Sequence, residues 1–377
     1  MDLYEKRRTR LCEWMRSHGV DVALFGEPRT FLYLTGVVIS PAERFIGLLL
    51  DARDGRHLAV APKLEALNMR GCAVEQCLYE DGADPLEILH PKMRGRKVGV
   101  QMGGGFQEHY SMALGKRLFQ AYGLEMADMT DVVDEMRLSK DEEELMALRA
   151  SADRLCRMFA FIRERLAPGK AELELSMEMF AETYRLGGTD YMIPCILSGP
   201  AAASPHGQSS GKLLQRGEQV LIDCSIDYKG YWADMSRTFF LGEPTPKMRE
   251  VFQVLLEAQQ AAIEAVKIGE PICGIDQAAR RVIEKAGYGP YFTHRVGHGI
   301  GLSIHEAPSV DGRNQNPILK GMYHSVEPGI YIPGEFGMRI EDDVYASESG
   351  PIVLTDQMRK DLDYMILQSK PPAKPEA

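Results

Sequence analysis

The sequence predicts an α+β protein in which an α/β layer domain precedes a larger domain of helices and paired strands. Its 377 residues exceed the roughly 100 to 200 that one domain usually contains. The first third alternates helix-like with strand-like segments, which is typical of an α/β layer. The remainder combines long amphipathic segments with strand runs interrupted by turns, which indicates an α+β domain. We place the two domains at residues 1–130 and 138–367.

The first domain begins with a predicted helix, because apolar residues recur at helical spacing from Tyr4 to His18 and Gly19 follows. Short apolar runs bounded by turn residues then predict strands, and one later segment predicts another helix. The triple glycine at residues 103–105 is interpreted as a turn, since it lacks the Lys-Ser/Thr pair of a phosphate-binding loop. The predicted strands are Val20–Phe25, Phe45–Leu50 and Lys97–Gln101, and the later helix is Tyr110–Tyr122.

The second domain is expected to begin with a long helix. The domain boundary is predicted between Met126 and Lys140, where short strand-like and turn-like pieces precede that helix. Ser139 is interpreted as its N-cap, and the acidic run at residues 141–144 as its first turn. Further helices are predicted at Ala171–Leu186 and Lys247–Val266. Strands are predicted between these helices and after them.

Composition and charge argue against several classes of protein. The formal net charge is -10, and the longest basic cluster, Lys6-Arg7-Arg8, is too short to neutralise a run of phosphates. No apolar stretch approaches the ~20 residues of a transmembrane helix, and the first residues lack the apolar core of a secretory signal. The seven cysteines are an odd number without metal-type spacing, which favours reduced thiols. We therefore expect a cytoplasmic protein that binds neither nucleic acid nor a membrane.

Two aspartates on predicted paired strands are the first candidates for chemistry. The run 220–227 turns around residues 229–230 and returns through 231–237, a pattern that predicts a β-hairpin. With a turn of two or four residues, Asp223 and Asp234 project from one face as diagonal neighbours, whereas a three-residue turn would put them on opposite faces. Two like charges at such short range require a cation or a shared proton.

A histidine and a second acidic pair complete the candidate set. Glu327 and Glu341 flank a segment rich in glycine and proline, and folding back near Gly334 would set them opposite one another. His298 lies between the two acidic hairpins, in a glycine-rich segment that permits close backbone approach. Each residue alone is more often a turn, loop or structural residue. Together, four carboxylates and one imidazole suit two divalent cations, for which Mn²⁺, Co²⁺ and Zn²⁺ are all chemically possible.

At these residues the sequence resembles the pita-bread metallopeptidases, which include methionine aminopeptidase, Xaa-Pro aminopeptidase and Xaa-Pro dipeptidase (prolidase). The resemblance covers essentially the whole chain and is closest to bacterial Xaa-Pro dipeptidase. The first domain resembles the creatinase-type N-terminal domain of the proline-specific members. One departure is Ser225, at a position where the family usually has glycine. The five metal-ligand positions of the family are all filled, by Asp223, Asp234, His298, Glu327 and Glu341.

The resemblance implies a role for each of these five residues. Asp223 would chelate one metal, His298 and Glu327 would bind the other, and Asp234 and Glu341 would bridge the two. A water or hydroxide between two divalent ions, with Mn²⁺ as the first choice, would be the nucleophile. Glu327 would also shuttle the proton. The resemblance further implies a homodimer.

Two histidines and two arginines complete the site that the resemblance implies. His206 and His305 match family positions and would donate hydrogen bonds to the scissile carbonyl oxygen or to the tetrahedral intermediate. Arg295 and Arg339 could bind a substrate carboxylate, since guanidinium matches carboxylate geometry bidentately. A free C-terminal carboxylate lies close to the scissile bond only in a dipeptide. The arginines therefore favour a dipeptidase that acts on a small peptide with proline at its second position.

Three other functions stay open at this stage. The first is an Xaa-Pro aminopeptidase that releases the N-terminal residue of longer peptides. The second is a lyase or amidohydrolase that acts on a small metabolite other than a peptide, because a fold does not determine a function. The third is a catalytically silent binding protein on the same fold, against which the complete ligand set argues.

Overall fold

The computed structural model describes residues 2–39, 43–103, 116–118, 122–189 and 192–368 of the chain. The chain divides into two compact units, one ending at Arg137 and the other beginning at Leu138. This division lies close to the predicted domain limits of 1–130 and 138–367. The seven cysteines are free thiols, and five of them are buried. Among the helices of the described residues, none is long and apolar enough to cross a membrane.

The first unit is an α/β layer built on one mixed sheet. The strands of this sheet are β1 Val22–Phe25, β2 Gly47–Asp51, β3 His57–Pro62, β4 Glu75–Tyr79, β5 Lys97–Val100 and β6 Glu125–Asp128. They lie in the order β4-β3-β2-β1-β5-β6, with β1 antiparallel to β2 and parallel to β5. The helices described in this part of the chain are α1 Leu3–Ser17, α2 Pro28–Thr35, α3 Pro85–Met93 and α4 Thr130–Leu138.

The predicted first helix and the predicted strands of this unit are confirmed to within two residues at each end. Helix α1 ends before Gly19, whose φ of 66° is in the left-handed region that favours glycine after a helix. The helix predicted at Tyr110–Tyr122 lies largely outside the described residues, as do Gly104 and Gly105 of the triple glycine.

Helices α2 and α4 are two of the helices that the sequence analysis does not predict, and the reasons differ. In α2 all residues from Thr30 to Thr35 are buried, so no amphipathic pattern marks the helix. The interpretation of residues 126–140 as short strand-like and turn-like pieces is correct for β6 and wrong for α4. There Val132 and Met136 are buried one helical turn apart, a pattern too short to identify from sequence alone.

The second unit combines longer helices with two sheets and a separate hairpin. Its helices are α5 Glu142–Arg163, α6 Glu172–Arg185, α7 Pro246–Glu264, α8 Cys273–Lys285 and α9 Leu362–Met365. Its strands are β7 Cys195–Ser198, β8 Gln219–Tyr228, β9 Tyr231–Leu241, β10 Gly297–Gly299, β11 Glu306–Val310, β12 Tyr323–Val326, β13 Gly329–Ile332, β14 Phe336–Arg339, β15 Asp342–Ser347, β16 Gly350–Val353 and β17 Ile366–Leu367. The sheet orders are β17-β9-β8-β7 and β11-β10-β12-β15-β16, while β13 and β14 form the hairpin.

The N-terminus of α5 differs from the prediction. Its N-cap is Asp141, whose side chain accepts a hydrogen bond from Glu144 N at 2.9 Å, while the Glu144 carboxylate accepts one from Asp141 N at 3.1 Å. This reciprocal pair is a capping box. The interpretation of Ser139 as the N-cap is therefore wrong, because Ser139 instead forms a β-bridge with Met322.

Replacing Asp141 by alanine should lower the stability of the protein by about 1 kcal/mol, the usual cost of losing an N-cap side chain. The expected result is a lower midpoint of thermal unfolding. The control is Glu143→Ala in the same helical turn, since Glu143 is exposed and takes no part in the capping box. An equal loss of stability in both variants would contradict the assignment of the cap.

Hairpin β8–β9 separates the hydrophobic core from the polar face that carries the site. Ile222, Cys224 and Ile226 alternate along β8 and are buried in the core, together with Leu155 of α5 and Leu255 of α7. Side chains of neighbouring residues in a strand point to opposite faces. The residues between these three, which include Asp223, therefore point away from the main core.

Candidate metal centre

The β8–β9 hairpin brings the two predicted aspartates together. Its turn contains two residues, Lys229 and Gly230, both with positive φ (54° and 83°), as the tightest class of hairpin turn requires. Asp223 lies opposite Ser236, and Asp234 lies opposite Ser225. The predicted register is confirmed, and both carboxylates project from the same face.

The β13–β14 hairpin brings Glu327 and Glu341 together. The two strands pair from Ile332–Phe336 at the turn to Gly329–Arg339 at the open end. The two glutamates follow in the same register just beyond the last pair, as the sequence predicts. Glu327 N donates a hydrogen bond to Val296 O at 2.7 Å, which links this residue to the segment before β10.

Strand β10 carries His298 between two glycines that allow close backbone approach. A Cβ atom on Gly297 would lie 2.1 Å from Ser325 O, and one on Gly299 would lie 2.1 Å from Ala307 O. Any larger residue would therefore force the neighbouring strands apart. The imidazole Nδ1 of His298 lies 3.1 Å from Gly299 O, and its Nε2 lies 3.8 Å from Asp234 Oδ2.

The five predicted ligands converge in overlapping groups. In each group one ligand atom per residue lies within 4.8 Å of the others. The groups are Asp223, Asp234 and Glu341; His298, Glu327 and Glu341; and Asp234, His298 and His305. Carboxylate oxygens with an imidazole nitrogen form a donor set that fits divalent cations of intermediate hardness. Asp234, His298 and Glu341 each belong to two of these groups, and this overlap fits two neighbouring cations.

The charges of this cluster also fit a cation site. Burial, followed by the charges of Glu341 and Asp223, raises the pKa of Asp234 well above its usual value. Burial and the charge of Glu341 likewise raise the pKa of Glu327. Burial lowers the pKa of His298 well below its usual value, so the neutral imidazole can act as a ligand. Buried carboxylates that repel one another in this way are stabilised by a cation.

The guanidinium of Arg339 donates hydrogen bonds to three side chains inside the protein. Its Nη2 donates to Asp223 Oδ2 at 2.6 Å, its Nε donates to Ser236 Oγ at 2.8 Å, and its Nη1 donates to Tyr331 OH at 2.9 Å. Its residue exposure is 5%. The contact of Arg339 with a substrate carboxylate stays a prediction, and in the structure its guanidinium binds one of the predicted metal ligands, Asp223.

One cavity of about 440 Å³ contains all nine predicted site residues in its lining. His206 and His305 are exposed there, and Arg295 is half-buried. Burial and the charge of Arg295 lower the pKa of His305. The lining also includes apolar residues, among them Met192, Pro205 and Ile304. The lining therefore combines polar and apolar side chains, as sites for small ligands commonly do.

Sequence reasoning missed three side chains that support this site. Ser236 Oγ donates to Glu341 Oε2 at 2.6 Å. Tyr331 OH lies 3.0 Å from His294 Nε2, and His294 Nδ1 lies 2.7 Å from Arg295 O. The only signal in the sequence is proximity, since Ser236 follows Asp234 by two residues and His294 precedes Arg295. Ser236 and Glu341 are 105 residues apart and His294 and Tyr331 are 37 apart, so the sequence does not identify these pairs.

Family models match both units of the chain. The model of metallopeptidase family M24 matches residues 146–348, and the model of the creatinase/prolidase N-terminal domain matches residues 7–139. The chain belongs to metallopeptidase family M24. Its fold is the pita-bread catalytic domain preceded by a creatinase-type N-terminal domain, as predicted. Membership of this family implies the use of divalent metal and supports peptidase activity.

Individual relatives extend over almost the full chain. A Bacillus subtilis protein named "Putative dipeptidase YkvY" is 33% identical over 361 residues, which cover 94% of this chain and 99% of that protein. The prolidase from Thermococcus sibiricus has a TM-score of 0.88 and 30% identity, covering 97% of this chain and 100% of that one. The X-Pro aminopeptidase from Thermotoga maritima has a TM-score of 0.82 and 29% identity, covering 93% and 97%.

Proposed function

We propose that this protein is a prolidase, which hydrolyses the peptide bond before proline in Xaa-Pro dipeptides. The observation that carries the proposal is a single cavity that combines five ligands suited to two cations with two histidines and Arg295. Relatives named prolidase and dipeptidase support the same class of substrate.

We assign the five ligands to two divalent cations. Asp223 would hold one cation, His298 and Glu327 would hold the other, and Asp234 and Glu341 would contribute to both. Mn²⁺ is the first choice, with Co²⁺ or Zn²⁺ as alternatives, because the donors are mainly carboxylate oxygens. When bound, two such cations lower the pKa of a water molecule and stabilise the negative charge that develops during hydrolysis.

The remaining chemistry belongs to side chains of the cavity. The Glu327 carboxylate accepts a proton from the attacking water and delivers it to the nitrogen of the departing proline. His206 and His305 each donate an N–H to the scissile carbonyl oxygen as it becomes negatively charged. Preorganised donors of this kind stabilise the transition state more than the bound substrate.

Arg295 is the residue that we assign to the C-terminal carboxylate of the dipeptide. It lies in the wall of the same cavity, and its Nη1 donates to Ser309 Oγ at 3.4 Å. Burial lowers its pKa, but a guanidinium group stays charged at neutral pH. A half-buried arginine can therefore bind a carboxylate that enters the cavity.

The second candidate is an Xaa-Pro aminopeptidase. The observation in its favour is the likeness to the Thermotoga maritima X-Pro aminopeptidase, which extends over 93% of this chain. An aminopeptidase cleaves longer peptides and needs no contact with the C-terminal carboxylate. The homodimer and the cytoplasmic location that the sequence suggests stay predictions for both candidates.

Replacing Arg295 by alanine separates the two candidates. Loss of a charge-assisted contact to the carboxylate should lower kcat/KM for a Met-Pro dipeptide by roughly ten- to a hundredfold. The rate on the same dipeptide with an amidated C-terminus should be low in the wild type and hardly change in the variant. Arg313→Ala is the matched control, because Arg313 is an exposed arginine in the same part of the chain.

Two results together would favour the aminopeptidase candidate over the prolidase. The wild type would cleave the amide or a Met-Pro tripeptide as fast as the free dipeptide, and the Arg295 variant would lose activity equally on the free dipeptide and on the longer or amidated substrate. Metal-depleted protein gives the background rate in each assay. No turnover of any Xaa-Pro peptide by the metal-loaded wild type would refute both candidates.

A further inference from the structure

His206 and His305 lie on loops, outside the helices and strands of the second unit. His305 belongs to segment 301–305 between β10 and β11, and His206 to the loop between Ser198 and Ser210. A loop side chain keeps a productive geometry only if contacts elsewhere hold its loop. A misplacement of about 1 Å at a reacting centre can lower a rate about a hundredfold. The anchors of these two loops therefore matter for catalysis.

The loop of His305 is wrapped around the carboxylate of the next residue, Glu306. Lys140 Nζ donates to Glu306 Oε1 at 2.6 Å, and the two side chains are only 1% and 8% exposed. Ser303 N donates to Glu306 Oε2 at 3.2 Å. A Cβ atom on Gly301 would lie 2.4 Å from Glu306 Oε1, so the loop passes as close to this carboxylate as glycine allows.

The loop of His206 is held at both ends by a different carboxylate. Glu172, in the first turn of α6, has no exposed surface. Its Oε1 accepts from Ser198 N at 2.8 Å and from Ser198 Oγ at 2.7 Å. Its Oε2 accepts from Ser210 N at 3.2 Å and from Ser210 Oγ at 2.9 Å. One buried side chain therefore joins the residue that precedes the loop to the residue that closes it.

We propose that Glu306 and Glu172 are positioning residues, Glu306 for His305 and Glu172 for His206. Each is buried next to its loop, and neither lines the cavity that contains the histidines. Their effect on the reaction therefore passes through the histidine that each loop carries. This inference rests on the proposed function, because it assumes that both histidines act on the substrate.

Double-mutant cycles test the pairing, because mutations that act through one group are not additive. In the wild type, E306Q and E172Q should each lower kcat by about tenfold or more, with KM nearly unchanged, since a donor is misplaced. In the H305A background E306Q should cause no further loss, whereas E172Q should keep its effect. In the H206A background the pattern should reverse. Each cycle is thus the control for the other.

Additive losses in both backgrounds would refute the proposal, because a loss of general stability lowers activity whichever histidine is present. Thermal unfolding of every variant shows whether the chain folds. If E306Q does not fold, K140M/E306Q also removes the buried lysine, whose charge glutamine does not balance. If E172Q does not fold, S210A removes one hydroxyl donor and leaves the carboxylate in place.

A second readout keeps this inference apart from the proposed function. In the full chain loaded with Zn²⁺, ¹H–¹⁵N spectra report the imidazole nitrogens, and the H305A and H206A variants assign the two signals. E306Q should shift the signal of His305 and leave that of His206 unchanged, and E172Q should do the reverse. If the spectra follow this pattern while no Xaa-Pro peptide is cleaved, the proposed function fails and the positioning holds. Equal shifts of both signals in both variants would overturn the positioning.

Discussion

Replacing Asp234 by asparagine should lower metal content and turnover together. Asp234 belongs to two of the three ligand groups, and its carboxylate is buried among other carboxylates. Asparagine keeps the size of the side chain but removes the charge, and it offers one oxygen instead of two. Mutation of a residue that only supports a metal ligand lowers metal affinity or activity by about 10- to 100-fold. A bridging ligand should exceed that range, so we expect a loss in kcat/KM of about 100-fold or more.

Asp227→Asn is the matched control for this variant. Asp227 is buried in the same hairpin, but its carboxylate accepts hydrogen bonds from Thr189 and belongs to no ligand group of the described residues. This variant should keep both metals. The measurements are metal per chain by elemental analysis after dialysis, and hydrolysis of Met-Pro. Two retained metals and near-normal turnover in Asp234→Asn would rule out the bridging role.

Replacing His305 by alanine should lower kcat by about 100-fold or more while both metals stay bound, as the loss of one preorganised donor typically does. The same variant also tests whether His305 is a metal ligand. A ring nitrogen of His305 lies within 4.8 Å of ligand atoms of Asp234 and His298, so the structure also permits His305 to be a ligand. The ring centroids of His298 and His305 are 4.0 Å apart.

Metal content decides between these two roles of His305. Unchanged metal with a reduced kcat supports the donor role, whereas loss of one metal per chain would make His305 a ligand. Unchanged turnover would leave His305 as a structural residue of the loop. His90→Ala in the first unit controls for the removal of a histidine far along the chain from the candidate site.

The parts of the site that the sequence predicts correctly depend on local geometry. A two-residue turn at Lys229-Gly230 determines which residues of the hairpin face each other, so the juxtaposition of Asp223 and Asp234 follows from a segment of some 15 residues. The alignment of Glu327 with Glu341 follows in the same way from a short hairpin. The register of a hairpin can be predicted from sequence because its two strands are consecutive in the chain and are joined by a short turn.

The contacts that the sequence does not predict join residues far apart in the chain. Arg339 and Asp223 are 116 residues apart, and Lys140 and Glu306 are 166 residues apart. Such pairs arise from the packing of separate elements, which no local pattern encodes. The cap of α5 is a smaller case, because Ser139 precedes the acidic run, Asp141 begins it, and only the backbone geometry selects Asp141.

The ion pair between Arg339 and Asp223 has a consequence for electroneutrality. When ionised, the four carboxylates of the candidate site carry four negative charges, and the buried arginine leaves three of them uncompensated. For these five groups alone, without Arg295 of the cavity wall, one divalent cation leaves a single negative charge and a second gives a single positive charge. The first cation should therefore bind more tightly than the second. The doubly loaded cavity should attract a small anion, which a titration of metal binding at several chloride concentrations can detect.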